Sequence, residues 1–258
     1  MENWEIVKKL SSRKKLGTVW LVRRSKSGQT ETGYFKFSNP QNERYIGPLA
    51  GNELLAYHLA SRLHLPIARV EAAKIKGQLG VVSLARPEPK LYKWDQLTRH
   101  IYHNIPRFIL RPERLLKMFV FDIWICNIDR HGGNLLAYPV GEKYDFYLID
   151  HGLSLLGAVQ WQGFSWDHPH WDRVVGYNRN YVRGLSKYIR SYEQLKPYVK
   201  VIQHIPYQEL EKSVDSIPLT MLSHENKRTV KQLLLSRQKK LHTIVQQWIK
   251  DYKRPPEP

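Results

Sequence analysis

The chain changes character at Arg86-Pro87-Glu88-Pro89, and this change limits its architecture more than any other feature. Proline removes a backbone donor and fixes φ, so neither a helix nor an inner strand runs through such a joint. Before it, apolar residues come in short β-rich runs. After it, they recur at helical spacing. The expected fold class is α+β. A small β-rich N-terminal lobe over 1–88 precedes a larger, mainly helical C-terminal lobe over 89–258, the two forming one bilobal domain.

Within the first part, 18–24 (Thr-Val-Trp-Leu-Val-Arg-Arg) and 33–37 (Gly-Tyr-Phe-Lys-Phe) read as strands. Ser25-Lys26-Ser27-Gly28-Gln29 between them is a turn signal, so the pair is expected to form a hairpin that ends near Asn39-Pro40. Leu55, Leu59 and Leu63 predict a helix over 52–63, with Asn52 as N-cap and Pro66 beyond its end. Residues 70–75 and 79–84 read as two further strands around Lys76-Gly77.

In the second part, 112–126 is apolar nearly all round, the pattern of a buried helix. Short β segments are expected near 135–138 and 145–149. Further helices are expected over 179–195 (Val182, Leu185, Ile189, Tyr192, Leu195) and 225–250 (Leu234, Leu241, Val245, Trp248, Ile249).

Several classes are excluded. Cys126 is the one cysteine, so no intramolecular disulfide forms, and its apolar surroundings predict a buried, inert thiol. The most apolar run carries Asp122 and is too short for a transmembrane helix. The opening Met-Glu-Asn-Trp-Glu-Ile-Val-Lys-Lys-Leu lacks an apolar signal core, so the expectation is a soluble, cytoplasmic protein. Lysine and arginine number 41 against 23 acids, a net charge of +18. That excess favours polyanionic company: nucleotide phosphate, nucleic acid or an anionic membrane face.

The stretch that carries chemistry is Asn127-Ile128-Asp129-Arg130-His131-Gly132-Gly133-Asn134, followed by Tyr147-Leu148-Ile149-Asp150-His151-Gly152. An Asp and an Asn oxygen brought together by two loop ends can ligate Mg²⁺, a hard cation that shares its oxygen ligands with substrate phosphates. A further carboxylate beside that metal can accept a proton from an attacking hydroxyl. These are the parts of phosphoryl transfer.

Asp129-Arg130-His131-Gly132-Gly133-Asn134 and Ile149-Asp150-His151-Gly152 resemble the catalytic core of the HipA-like kinases and their relatives, the phosphatidylinositol 3- and 4-kinases. Those families carry Asp-Arg-His-x-x-Asn followed by Ile-Asp-x-Gly. The resemblance covers about residues 10–155 and is strongest over 120–155. It implies a protein-kinase-like fold using ATP and Mg²⁺, with Asp129 as catalytic base, Asn134 and Asp150 as metal ligands, and Arg130 and His131 supporting the loop. It also implies a strand lysine, matched by Lys36, and a helix glutamate, matched by Glu53. A lysine in an apolar strand needs an anionic partner, and Glu53 with nucleotide phosphate would serve.

The rest of the ATP site follows from the same resemblance. Val81-Val82-Ser83-Leu84 would be the hinge, with Val82 and Leu84 against the adenine. No Gly-x-Gly-x-x-Gly loop is present. Ser11-Ser12-Arg13-Lys14-Lys15-Leu16-Gly17 is the candidate phosphate loop, with Ser11 and Ser12 at the phosphates and Lys14 or Lys15 as point charges. His151 stands where protein kinases have Phe. The segment 161–172 corresponds to an activation or substrate-binding loop. Its His168-x-His170 lacks the spacing of a zinc site and is expected to pack or dock an acceptor.

The acceptor implied is a protein Ser/Thr hydroxyl, with a lipid headgroup or small molecule as the alternative. The rival class is a catalytically inactive basic module on the same scaffold that binds nucleic acid or an anionic membrane surface.

Overall fold

A computed structural model of the protein describes residues 4–13, 17–88, 90–172 and 182–252. The expected hairpin is β2 (Gly17–Lys26) and β3 (Gln29–Phe37). Ser27 and Gly28 join them with φ of 50° and 77°, the doubly left-handed backbone that a two-residue I′ turn requires. Lys76 and Gly77 make the same turn (φ 51° and 79°) between β4 (Val70–Ile75) and β5 (Gln78–Leu84).

A strand that the sequence pattern did not announce, β1 (Glu5–Arg13), pairs with β2. Its register shifts between Ile6 and Lys8 and again between Lys9 and Ser11. Each bulge breaks the alternation of two by which a strand is recognised. The antiparallel sheet has the order β1-β2-β3-β5-β4. One face carries a small cluster of Trp20, Val22, Phe35, Ile75 and Val82. Val70 and Val81 join the main core instead.

Two helices follow β3. In α1 (Pro40–Ile46), Asn39 caps the N-terminus in a reciprocal bond with Asn42, and Pro40 opens the first turn. Asn39-Pro40 is thus a helix start rather than only a strand end. In α2 (Leu49–Arg62) the expected N-cap is corrected: Pro48 holds that position. Asn52 lies inside the helix, fully buried, with its amide donating to the Gly152 carbonyl at 3.2 Å.

Beyond the joint, β6 (Tyr92–Lys93) pairs with β7 (Leu135–Val140), which pairs with β8 (Lys143–Leu148). Between β6 and β7 run α3 (Arg99–His103), α4 (Ile105–Phe108) and α5 (Glu113–Trp124). α6 (Leu156–Gln162) follows β8. The helix expected over 179–195 is two pieces, with 179–181 outside the described residues. Leu185–Tyr188 ends at Ile189, and Ser191 with Gln194 forms a capping box that starts Tyr192–Gln203. Helices Tyr207–Asp215 and His224–Tyr252 complete the chain.

α5 is the axis of the core. From Met118 to Trp124 every side chain is buried, Asp122 included. Phe119 meets the Trp248 ring edge-on at 4.3 Å, and the Trp124 indole donates to the Leu234 carbonyl at 3.0 Å. A helix end leaves carbonyls without partners. Here Arg237 supplies donors to the carbonyls of Ile123 and Trp124, at 3.0 and 3.1 Å from Nε. The buried thiol of Cys126 follows, pushed up in pKa by its burial. Among the described residues no helix is long and apolar enough to cross a membrane.

Candidate active site

The loop after α5 is built outward from one buried carboxylate. Asp122 accepts from Arg130 Nε at 2.9 Å and from Asn127 Nδ2 at 2.8 Å. A carboxylate in an apolar helix requires such partners; their identity follows from the chain returning directly over the helix end. Asn127 Oδ1 then accepts the Asp129 N–H at 3.1 Å. Arg130 Nη1 donates to the carbonyls of Asn134 at 2.6 Å and Ile149 at 3.1 Å. One fully buried guanidinium therefore ties the 129–134 loop to the segment carrying Asp150. Its Nη2 also meets His151 Nε2. Burial, with Arg130 and Lys36 nearby, holds His151 well below the usual imidazole pKa, so the ring is neutral and accepts that bond.

Six of the anticipated residues converge above this frame. Lys36, on β3, places Nζ 2.9 Å from Asp150 Oδ1 and 3.3 Å from Glu53 Oε1. Glu53, on α2, accepts the His151 N–H at 2.7 Å through its other oxygen. Asp150 has φ 59°, a left-handed backbone that Asp tolerates better than most residues and that here turns its side chain toward Lys36. Across from them, Asn134 Nδ2 donates to the Asp129 carbonyl at 2.8 Å and to Asp129 Oδ2 at 3.3 Å. His131 folds back on its own loop, accepting the Gly133 N–H at 3.0 Å through Nδ1, with Nε2 3.9 Å from Asp129 Oδ1.

The electrostatics separate the two aspartates. Burial raises the Asp129 carboxyl, and the Asp150 charge raises it further. Burial would raise Asp150 too, but Lys36 outweighs it and holds that carboxyl low. Burial would lower the Lys36 ammonium, yet Asp150 and Glu53 hold it raised and charged. Glu53 is raised chiefly by burial, against the pull of Lys36.

These side chains line a cleft of about 480 Å³, whose walls include Lys36, Asp129, His131, Asn134 and Asp150. A smaller and more apolar recess of about 190 Å³ opens beside it and shares Val19, Lys36 and Asp150. Ser83, Leu84, Ala85, Tyr34 and Tyr147 line the recess. Val82 does not line either space: its side chain packs with Trp20 and Phe35 in the small cluster. Ser83, its neighbour on β5, points to the opposite face and lines the recess, and Leu84 reaches the recess at the end of the strand.

Ser11 lies on the cleft wall, within β1 rather than in a loop before the first strand. Ser12 is in the same strand, and Lys14 and Lys15 lie outside the described residues. Tyr147, Val19 and Trp161 are wall residues to which the sequence alone assigns no individual role. Val19 and Tyr147 had a strand signal but no chemistry to mark them. The rings of His168 and His170 stack on Phe164 at 4.6 and 4.3 Å. Among the described residues no three His, Cys, Asp or Glu side chains gather into a metal-binding group.

The architecture is the bilobal kinase-like fold: a small antiparallel sheet region joined to a larger helical part. The solved structure of the proinflammatory kinase CtkA of Helicobacter pylori shares it, with a TM-score of 0.63 at 15% sequence identity over 98% of each chain. HipA of Shewanella oneidensis MR-1, solved with HipB and operator DNA, superposes with a TM-score of 0.48 at 13% identity, covering 97% of this chain and 69% of that one. No protein-family model matches the sequence, and no curated protein matches it.

Proposed function

We propose that the protein is an ATP- and Mg²⁺-dependent phosphotransferase of the HipA-like kinase type that acts on a hydroxyl, with a protein Ser/Thr side chain as acceptor. One observation carries this reading. The Lys36 ammonium is held between Glu53 and Asp150 in the same cleft that presents Asp129 and Asn134. A structural role alone does not require a charged lysine and three carboxamide or carboxylate groups around one solvent-filled space.

The donor set suits a hard cation. The Asn134 amide nitrogen is occupied by Asp129, which leaves its oxygen as the atom to offer a metal, and Asp150 is kept ionised by Lys36. Asn134 and Asp150 would hold Mg²⁺, which when bound supplies charge neutralisation between phosphates. Lys36, braced by Glu53, orients phosphate oxygens. Leu84, with Ser83 and Ala85, lines the apolar recess suited to an adenine, Ser11 borders the phosphate end, and Ser12 follows it in β1.

Asp129 orients the acceptor hydroxyl and takes its proton as the new O–P bond forms and the bond to the ADP oxygen breaks. Its raised pKa makes it a better base than an ordinary aspartate. Arg130 and His131 keep the loop in shape. The protein's work is positioning and electrostatics rather than covalent chemistry.

The test is to incubate purified protein with γ-labelled ATP, Mg²⁺ and a protein extract as acceptor, then map the labelled residues. Transfer that is lost in Asp129→Asn supports the reading. ATP binding without transfer to any protein, lipid or small hydroxyl compound favours the inactive module instead.

A further inference from the structure

A second concave region lies away from the cleft, where α3 and α4 face the chain around Gly184. Two adjoining hollows of about 270 and 290 Å³ share Tyr102, His103 and Lys187 as a common wall. The first adds Arg99 and Arg183, and the second adds Arg190. The lining is mixed: Ile105 and Tyr102 are buried at the base, Pro106 and Tyr188 lie beside them, and Asn104 and Gln194 add polar groups.

The backbone is built to form this trough. Gly184 has φ 86°, and a Cβ there would lie 2.9 Å from Tyr102 Cα and Cβ, so only glycine lets the two segments close to this distance. The Trp94 indole donates to the Arg183 carbonyl at 3.0 Å, and the Tyr102 hydroxyl donates to the Trp94 carbonyl at 2.6 Å. The Arg183 guanidinium lies 5.5 Å above the Tyr102 ring.

The charge is one-sided. Among the described residues, Arg99, Arg183, Lys187 and Arg190 form no ion pair with a carboxylate. Acids around the walls are Asp95, whose charge reaches Tyr102, Glu113, whose charge reaches Tyr188, and Glu193, which adjoins the wall residue Gln194 and pairs with Lys196. None of the three is a wall residue. Clustered cations without paired acids repel one another, a cost that a multiply anionic ligand removes.

We propose that this trough binds an acidic polypeptide segment. Two linked hollows, each just large enough for a side chain or two, suit an extended chain with spaced carboxylates. The apolar part of the lining, Ile105, Pro106 and Tyr188, suits the intervening residues. A broad basic face would instead favour the phosphate backbone of nucleic acid. One turn links the trough to the 129–134 loop. The turn Trp94–Gln96 that anchors Arg183 and Tyr102 presses Asp95 against Gly132, where an added Cβ would meet the carboxylate at 2.0 Å. On the phosphotransfer reading above, the acidic segment belongs to the acceptor protein, flanking the hydroxyl that reaches Asp129.

The test is direct binding, read without turnover. A fluorescein-labelled oligoglutamate peptide and its glutamine counterpart are titrated by anisotropy into the full-length protein, with oligothymidylate as competitor. The peptide should bind and its glutamine counterpart should not. Arg99→Glu with Lys187→Glu should weaken binding by about tenfold or more. Lys74→Glu with Lys76→Glu, the same charge change on the β4–β5 turn, should leave it nearly unchanged. Lys187→Gln with Arg190→Gln is the milder second variant, and the thermal midpoint of each verifies folding.

Absence of peptide binding overturns the proposal. So does equal weakening by both charge-reversed pairs, which would mean net charge alone. Tighter binding of oligothymidylate, lost with the same trough variants, reassigns the trough to nucleic acid. The ATP-induced thermal shift, measured on the same preparations, separates the two claims. Its absence in the parent strikes at the kinase reading, while the peptide result stands or falls by itself.

Discussion

Asp129, Lys36 and Glu53 carry predictions that differ in kind. On the proposed mechanism Asp129→Asn removes the base and keeps the shape, so turnover should fall by about 10²–10⁴ while ATP affinity holds or rises slightly. Binding and phosphate incorporation measured on one preparation decide it, and loss of both would move Asp129 into the metal shell. Because burial and Asp150 raise the Asp129 carboxyl, the acid limb of the rate–pH profile should lie above the ordinary carboxylate value of about 4. Turnover should rise with pH through that limb, since the deprotonated form is the base. Lys36→Met should abolish turnover and also lower the thermal midpoint, because it leaves Glu53 buried without its ammonium. Glu53 is already raised in the parent and would be raised further in the variant. The folded variant then binds more protons than its unfolded chain, so its stability should increase as pH falls below 7. Adding Glu53→Gln should recover the midpoint without recovering turnover. A Lys36→Met protein with unchanged turnover would make Lys36 a structural residue only.

At the scale of elements, the core predicts its own sensitivities. Phe119→Ala should cost about 3–5 kcal/mol, because the ring is fully buried between α5 and the last helix against Trp248; the denaturant midpoint measures it. Gly80→Ala is informative for the site. A Cβ at Gly80 would lie 2.3 Å from the Lys36 carbonyl, so β5 and β3 must separate just where the lysine is carried. The expected loss is about 1–3 kcal/mol, together with weakened ATP binding. The elements read from sequence were those with an intact period: the β2–β3 hairpin, α5 and the last long helix. β1 escaped because two bulges scramble its alternation. α2 began three residues early because Pro48 took the cap position and Asn52 was needed inside, bonded to Gly152. The candidate site was legible where a motif fixed both residue types and spacing, at 129–134 and 149–152. Asp122 was visible only as a flaw in an apolar helix, since its partners Asn127 and Arg130 are set by the return of the chain. Val82 lies against Trp20 and Phe35 while its neighbour Ser83 faces the recess, a difference of face that an apolar run does not display.

At the scale of the whole molecule, the net charge of +18 is not spread evenly over the chemistry. In the cleft the lysine is balanced by carboxylates, whereas the trough behind Trp94 presents cations without acids to pair them. On the proposed readings the cleft takes a cation together with phosphate, and the trough an anion alone. Salt should consequently weaken oligoglutamate binding far more than nucleotide binding, since exposed charges are screened and the buried cluster is not. The central claim is that Asn134 and Asp150 hold Mg²⁺ for a nucleotide oriented by Lys36. Its most direct measurement is the thermal midpoint of the parent and of Asp150→Asn with ATP, each with Mg²⁺ and with a chelator. At about a hundredfold excess over Kd, ligand binding adds about 2.7 kcal/mol, a rise of about 5–10 °C for a chain of this size. The account predicts a parent shift that mostly requires Mg²⁺ and a variant that loses the Mg²⁺-dependent part. An equal shift with and without Mg²⁺ in the parent, or an Asp150→Asn protein that keeps the full Mg²⁺ effect, would contradict it.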